Sequence, residues 1–277
     1  MQKSELRPVG KSPHFREDFD SLMYLLAQKT PFTFVRFSDG ESEILHRRRL
    51  SIKEGVTQFQ GRSFENSFPE WDSKTYTPIH GPGIRSDLFA AASFNEHFFF
   101  KGILTSSNRR NSEKFTMQRF AGGSKSNLTF TDLLVNVNFH RTLRELLPLI
   151  TETRDDLFVI ANYRSEMRGQ LSRAELIPVQ DNFFANYVSN RDEILSKAEI
   201  TPYGSTLLSS ASSMSNVIGH RLRISRPDLT FLDVGTAVNG ELGLLGGNRG
   251  YMTNPEKLWL KRVGSILGFR KDYVPRW

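Results

Sequence analysis

The second half of the chain repeats one pattern: a short apolar run, a polar break, then an amphipathic stretch. Leu157 to Ala161, Leu176 to Val179, Thr206 to Ser210 and Leu229 to Val234 are rich in large apolar and β-branched residues, and read as buried strands. Residues 185 to 197 and 212 to 223 carry apolar residues at helical spacing between them. Strands alternating with helices of this length need crossover connections, which pack right-handed onto a parallel sheet. The pattern therefore predicts an α/β fold with a doubly wound, mainly parallel sheet. Ligands of such sheets bind outside the carboxyl ends of the strands.

The first half fits the same frame. Phe32, Phe34, Val35 and Phe37 make Pro31 to Phe37 a buried strand, broken by Ser38-Asp39-Gly40. A helical pattern resumes at Glu41. Residues 15 to 29 and Ile84 to His97 read as helices, Phe98 to Leu104 as a strand, Asn127 to Val137 as β-prone, and Phe139 to Thr151 as a helix. Residues 1 to 14 read as an irregular arm. The polar and aromatic stretch from Ser51 to Pro78, broken by Gly55, Gly61 and Pro69, reads as an insertion-like loop with a short helix at most. A last short helix is expected from Pro255 to Val263. One α/β domain over residues 1 to 277 accommodates all of this.

Asp39 and Glu41 flank a glycine at the carboxyl end of the first strand, with Arg36 just before the turn. An Asp-x-Glu pair there can hold a hard divalent cation, which in turn holds a diphosphate. The same residues also suit an ordinary helix cap. The sheet topology carries further groups to this edge: Asn162 with Arg164, Asp181 with Asn182, and Asp233 with the loop leading to Glu241. Ser212 and Ser213 open a helix, where hydroxyls and backbone N–H groups form either an anion site or a plain cap.

Composition removes several classes. The chain has no cysteine, which excludes disulfides, zinc–thiolate sites and cysteine nucleophiles, and fits a reducing, cytoplasmic setting. Its amino terminus lacks the apolar core of a signal peptide, and no run reaches the length of a membrane span. The six histidines show no metal-ligand spacing, and no Gly-x-Ser-x-Gly elbow is present. Gly122-Gly123-Ser124-Lys125-Ser126 lacks the glycine spacing of a phosphate loop. A net charge of +7 suits anionic partners, but the basic residues are scattered, at Arg47 to Arg49, Arg109-Arg110 and Arg221 to Arg226.

Arg36-Phe37-Ser38-Asp39-Gly40-Glu41 resembles the Arg-Phe-Gly-Asp-Gly-Glu signature of the GT-D-type glycosyltransferases, a family first catalogued as a domain of unknown function. Leu176 to Val179, with Asn182, Phe184, Ala185, Tyr187 and Asp192 to Leu195, is similar to that family's apolar strand, Asn-Ala-Phe turn and helix. Phe231-Leu232-Asp233-Val234-Gly235 is similar to its late Leu-Asp-Ile-Gly segment, with Glu241 offset by about one residue from the family's following glutamate. Ser38 replaces the usual glycine, and Asn162-Tyr163-Arg164 stands where the family is richer in glycine and serine.

The resemblance implies a Rossmann-like, metal-dependent glycosyltransferase. Asp39 and Glu41 would hold Mn²⁺ or Mg²⁺; Arg36, Asn162, Arg164, Asp181, Asn182, Ser212 and Ser213 would line the nucleotide-diphosphate sugar. Glu241 is the candidate base for an acceptor hydroxyl, with Asp233 beside it in the same segment. The acceptor is a saccharide, protein or lipid-linked group. Two alternatives stand beside this: a catalytically idle nucleotide-binding or interaction module of a polysaccharide or surface assembly, and a basic nucleic-acid-binding protein, for which the chain shows no motif and which is not the expected partner class.

Overall fold

The computed structural model describes residues 15–53, 56–59, 62–65, 73–79, 81–104, 116–117, 119–120, 127–135, 138–154 and 156–244. The expected arm at 1–14, the Gly-Gly-Ser-Lys-Ser stretch at 122–126, Arg109-Arg110 and the helix expected at 255–263 lie outside these residues.

Helix α1 (Phe15–Ala27) turns Phe19, Leu22 and Leu26 inward, the spacing of an amphipathic helix. The chain then turns at Lys29, which has a positive φ of 53°, and enters β1 (Thr33–Phe37). Helix α2 (Asp39–Leu45) follows at once. Four short strands come next: β2 (Leu50–Lys53), β3 (Val56–Phe59), β4 (Arg62–Glu65) and β5 (Lys74–Tyr76). Helix α3 (Pro82–Ser93) leads to β6 (Phe99–Ile103) and β7 (Leu128–Phe130). A helical run of Phe139–Arg141, a π-helical turn Thr142–Leu146 and α4 (Leu147–Thr153) precedes β8 (Leu157–Asn162) and β9 (Glu175–Val179). The chain closes with α5 (Tyr187–Glu199), β10 (Thr206–Ser209), α6 (Ser213–Ser225) and β11 (Thr230–Asp233).

Seven strands form one sheet in the order β7-β6-β1-β11-β10-β8-β9, and every adjacent pair is parallel. The α/β reading from the sequence is thus correct. From β1 the chain winds outward through β6 to β7, crosses the sheet, and returns through β10 to β11 beside β1. After β1 the chain passes to one face of the sheet (Ile44, Leu45) and after β11 to the other (Val238, Leu242), and a doubly wound sheet opens a ligand crevice where neighbouring strands part in this way. Helix α1 and the residues of the helical run (Leu146, Leu147, Ile150) cover one face. Helices α2, α3, α5 and α6 cover the other.

Buried Asp87 ties the second face together. It accepts hydrogen bonds from Tyr187 Oη at 2.6 Å, Arg191 at 2.8 Å and Arg221 at 2.9 Å, and so joins α3, α5 and α6. Burial works to raise its pKa, but these three donors together hold it below the ordinary carboxylate range.

Two expectations need correction. The stretch from Ser51 to Pro78 is not a loop: its described residues contribute to a four-stranded antiparallel sheet, β4-β3-β2-β5. β2 pairs with β3 and β3 with β4 antiparallel, each across two intervening residues, the spacing that hairpins favour; Gly55 and Gly61, read as breakers, lie outside the described residues. This sheet reaches the main one through Tyr76, whose ring lies 5.9 Å from that of Phe184, and through Thr75 N–H, which donates to Asn182 Oδ1 at 3.4 Å. The β-prone run from Asn127 to Val137 supplies only the three residues of β7, after which Thr131 to Val135 turn away from the sheet.

The pairing of β6 with β7 leaves no room for a side chain at Gly102. A Cβ there would sit 2.7 Å from the Phe130 carbonyl oxygen and 2.9 Å from its carbon. Those are backbone atoms of the neighbouring strand and cannot rotate aside, so Gly102→Ala should cost about 1–3 kcal/mol, as overpacking does. Urea unfolding checks this, and an unchanged midpoint would mean that β7 does not pack against β6 as described.

Candidate active site

Arg36 is the last residue but one of β1, and its guanidinium turns toward β11. It pairs with Asp233 Oδ1 at 3.2 Å and donates to the Thr131 carbonyl at 3.2 Å. Gly235 makes the approach possible: it has a φ of +50°, and a Cβ on it would run into the Arg36 guanidinium. Asn216 of α6 donates to the Arg36 carbonyl at 2.9 Å, which fixes the strand from behind. Asp233 is 2% exposed and also accepts from Gly235 N–H at 3.1 Å. Burial pushes its pKa up to about 6; Arg36 pulls against this and the Glu41 charge adds to it. Arg36, Glu41 and Asp233 therefore share one buried cluster at the strand-end edge.

Glu41 is 3% exposed, and both its oxygens are engaged. Oε2 accepts from Ser38 N–H at 2.9 Å and from Ser38 Oγ at 2.7 Å, one half of a capping box. Oε1 accepts from Ser213 Oγ at 2.5 Å, across the crevice at the start of α6. Asp39, two residues earlier, is exposed. Ser213 itself is 1% exposed, whereas Ser212 is exposed, with φ 51° and ψ −139°. Behind them Ser209 and Ser215 share a buried hydrogen bond of 2.8 Å.

A second cluster lies at the ends of β8 and β9. Asp181 accepts from Asn162 Nδ2 at 2.8 Å and from Arg164 at 2.9 Å. Burial works to raise its pKa, but Arg164 and Asn162 outweigh it and hold the carboxyl below its usual range. Arg164 also lies 4.7 Å over the ring of Tyr163. Asn182 faces the small sheet through Thr75. With β10 and β11 between β8 and β1, the two clusters stand roughly 14 Å apart at the usual ~4.8 Å strand spacing.

Glu241 sits apart from both. Its Oε2 accepts from Gln170 N–H at 2.9 Å. Gly169, at φ +51°, leaves the space this carboxylate fills. The structure thus joins Arg36 with Asp233, Glu41 with Ser213, and Asn162 and Arg164 with Asp181; it does not join Glu241 to any of these by a direct hydrogen bond. Sequence reasoning passed over Ser38 and Tyr163 as site residues. Ser38 was legible as the first residue of a Ser-x-x-Glu capping box; Tyr163 had no signal beyond its place between Asn162 and Arg164.

Among the described residues no group of three or more His, Cys, Asp or Glu side chains is disposed to hold a metal ion. No helix among them is long and apolar enough to cross a membrane.

No family profile and no curated protein sequence matches this chain. Solved structures do. One, described as the highly conserved domain of unknown function 1792 with a distinct glycosyltransferase fold, aligns over 89% of this chain and 85% of its own, with a TM-score of 0.52 and 13% identity. A selenomethionine-substituted structure of the same domain of unknown function aligns over the same shares, with a TM-score of 0.53 and 13% identity. At such low identity the likeness concerns fold. The chain has a Rossmann-like glycosyltransferase fold, and the resemblance first seen at Arg36 to Glu41 holds at that level.

The Asp233 shift carries a sign that can be tested. Its folded pKa, about 6, lies above the ordinary 3.8. The native state thus holds the proton more tightly, and the stability this contributes is present at the acid end and lost as pH rises through that window. The unfolding free energy of wild type minus that of Asp233→Asn, measured between pH 4 and 7, should fall by about 2 kcal/mol from pH 4 to 6. A difference that grows over that range would show instead that Arg36 stabilises the anion.

Proposed function

We propose that the protein is a glycosyltransferase that takes a sugar from a nucleotide-diphosphate donor, with Mn²⁺ or Mg²⁺ held at Asp39. The observation that carries this reading is the exposed Asp39 carboxylate on a rigidly capped turn, at the crevice where the chain leaves β1 and β11 toward opposite faces of a glycosyltransferase-type sheet. A single exposed carboxylate suits these cations, which commonly take one or two protein ligands together with substrate phosphates. When bound, the cation neutralises charge on the departing diphosphate.

The chain's own groups would act as follows. Arg36 and Asp233 hold the ends of β1 and β11 in register. Tyr163 and Arg164, tied to Asp181, present a flat and polar surface toward the nucleotide end of the donor. Glu241 is assigned to the acceptor hydroxyl, with its carboxylate oriented by the Gln170 amide. The acceptor is a saccharide, a protein or a lipid-linked group, and a cytoplasmic setting fits a chain without cysteine.

The arginine clusters argue against a nucleic-acid surface. Arg221 pairs with Asp87, Arg223 with Glu96 and Arg226 with Asp228, and Arg48 pairs with buried Glu43. These charges are matched within the protein rather than gathered into a free stripe.

Thermal unfolding with a panel of UDP-, GDP-, dTDP- and CMP-sugars, with Mn²⁺ or with EDTA, tests the proposal. At least one donor should raise the melting temperature in a concentration-dependent way, and only with the cation. Asp39→Asn should abolish that cation-dependent shift with little loss of stability. Equal stabilisation in EDTA removes the cation from the reading. Donor binding without turnover of any acceptor favours an idle binding module. Steep, salt-sensitive binding of a random oligonucleotide, with no donor response, overturns it.

A further inference from the structure

Glu41 belongs to the same Asp-x-Glu turn as Asp39, yet it is placed very differently. It is buried, and its two oxygens receive three donors: Ser38 N–H at 2.9 Å, Ser38 Oγ at 2.7 Å and Ser213 Oγ at 2.5 Å. A carboxylate so enclosed has little lone-pair capacity left for a cation. Its surroundings explain why it is there. Ser213 is the first residue of α6, a helix of 13 residues, whose amino terminus carries partial positive charge. Ser212, at the cap position, makes no side-chain capping bond. The anion at that helix end is therefore Glu41, delivered from α2.

We propose that Glu41 is a positioning residue and not a cation ligand. It bridges the β1–α2 turn to the start of α6, so that the turn is held rigid and Asp39 alone is presented at the crevice. This rests on the reading that a divalent cation binds at Asp39. It also reassigns Ser213: its hydroxyl anchors Glu41, and the start of α6 is occupied from within rather than left open for a donor phosphate.

Ser213→Ala makes the cleanest test, because it removes the anchor without changing any charge. Mn²⁺ alone serves as the probe, with free Mn²⁺ followed by electron paramagnetic resonance and stability by urea unfolding. Wild type should bind Mn²⁺, and Asp39→Asn should lose that binding while keeping its stability. Ser213→Ala should weaken Mn²⁺ binding by about tenfold, the loss seen when outer-shell partners are removed, and Ser213→Thr should restore it. Glu41→Gln should lower stability, and Glu41→Gln with Ser213→Ala should be no worse than Glu41→Gln alone, since both break one bridge.

Two results would overturn the inference. One is Glu41→Gln abolishing Mn²⁺ binding at full stability while Ser213→Ala binds as wild type, the behaviour of a ligand. The other is Ser213→Ala leaving both affinity and stability unchanged. Should Glu41→Gln fail to fold, Ser38→Ala, which removes one of the three donors, takes its place in the cycle. If wild type binds no Mn²⁺, the cation reading falls, while additive stability losses in the double variant would separately refute the bridge and non-additive losses would uphold it.

Discussion

Two strands from opposite ends of the chain lie side by side at the centre of the sheet, and charge is buried where they meet. Arg36 from β1 and Asp233 from β11 face each other at 3.2 Å in surroundings where an unpaired ion would be costly. The pair dictates much around it. Gly235 must lack a side chain so that the guanidinium can pass, and Thr131 must turn its carbonyl inward after β7 to accept the other nitrogen. Glu41 adds a second negative charge to the cluster, and its hydrogen bonds from Ser38 and Ser213 make that charge tolerable. Strands from distant parts of the sequence are thus clamped together where β1 and β11 pair.

That clamp sorts the polar residues of the strand edge into two kinds. Arg36, Glu41, Asp233 and Ser213 face inward and hold elements together. Asp39, Ser212, Tyr163 and Arg164 face outward and remain exposed. Rigid support beneath a small exposed set is what a binding site needs, because side chains locked by neighbours lose less freedom when a ligand arrives. The outward set also spans the edge from β1 to β8.

The surface charge tells a similar story. Despite the net charge of +7, the basic residues of α6 and the turn after it are matched one by one to Asp87, Glu96 and Asp228. The Arg223 and Arg226 pairs are largely shielded from solvent. Asp87 differs in joining three helices, through Tyr187, Arg191 and Arg221. Formal charge counted along a chain therefore says little about where a polyanion would bind once partners are assigned in space.

Periodicity and residue type by themselves determined the parallel sheet, because strands buried on both faces must be nearly all apolar and their crossovers must be helical. They also determined that Asp39, Asn162, Asp181 and Asp233 would gather on one edge, since every parallel strand ends on the same side. The polar stretch from Ser51 to Pro78 hid the small antiparallel sheet. What only the tertiary structure decided was which of these groups look outward. Asp39 and Glu41 are one residue apart from adjacency and chemically alike, yet one meets solvent and the other meets Ser213, distant by most of the chain. Long-range packing sets that difference: the donor that engages Glu41 arrives with α6, and local pattern carries no information about where α6 begins relative to α2.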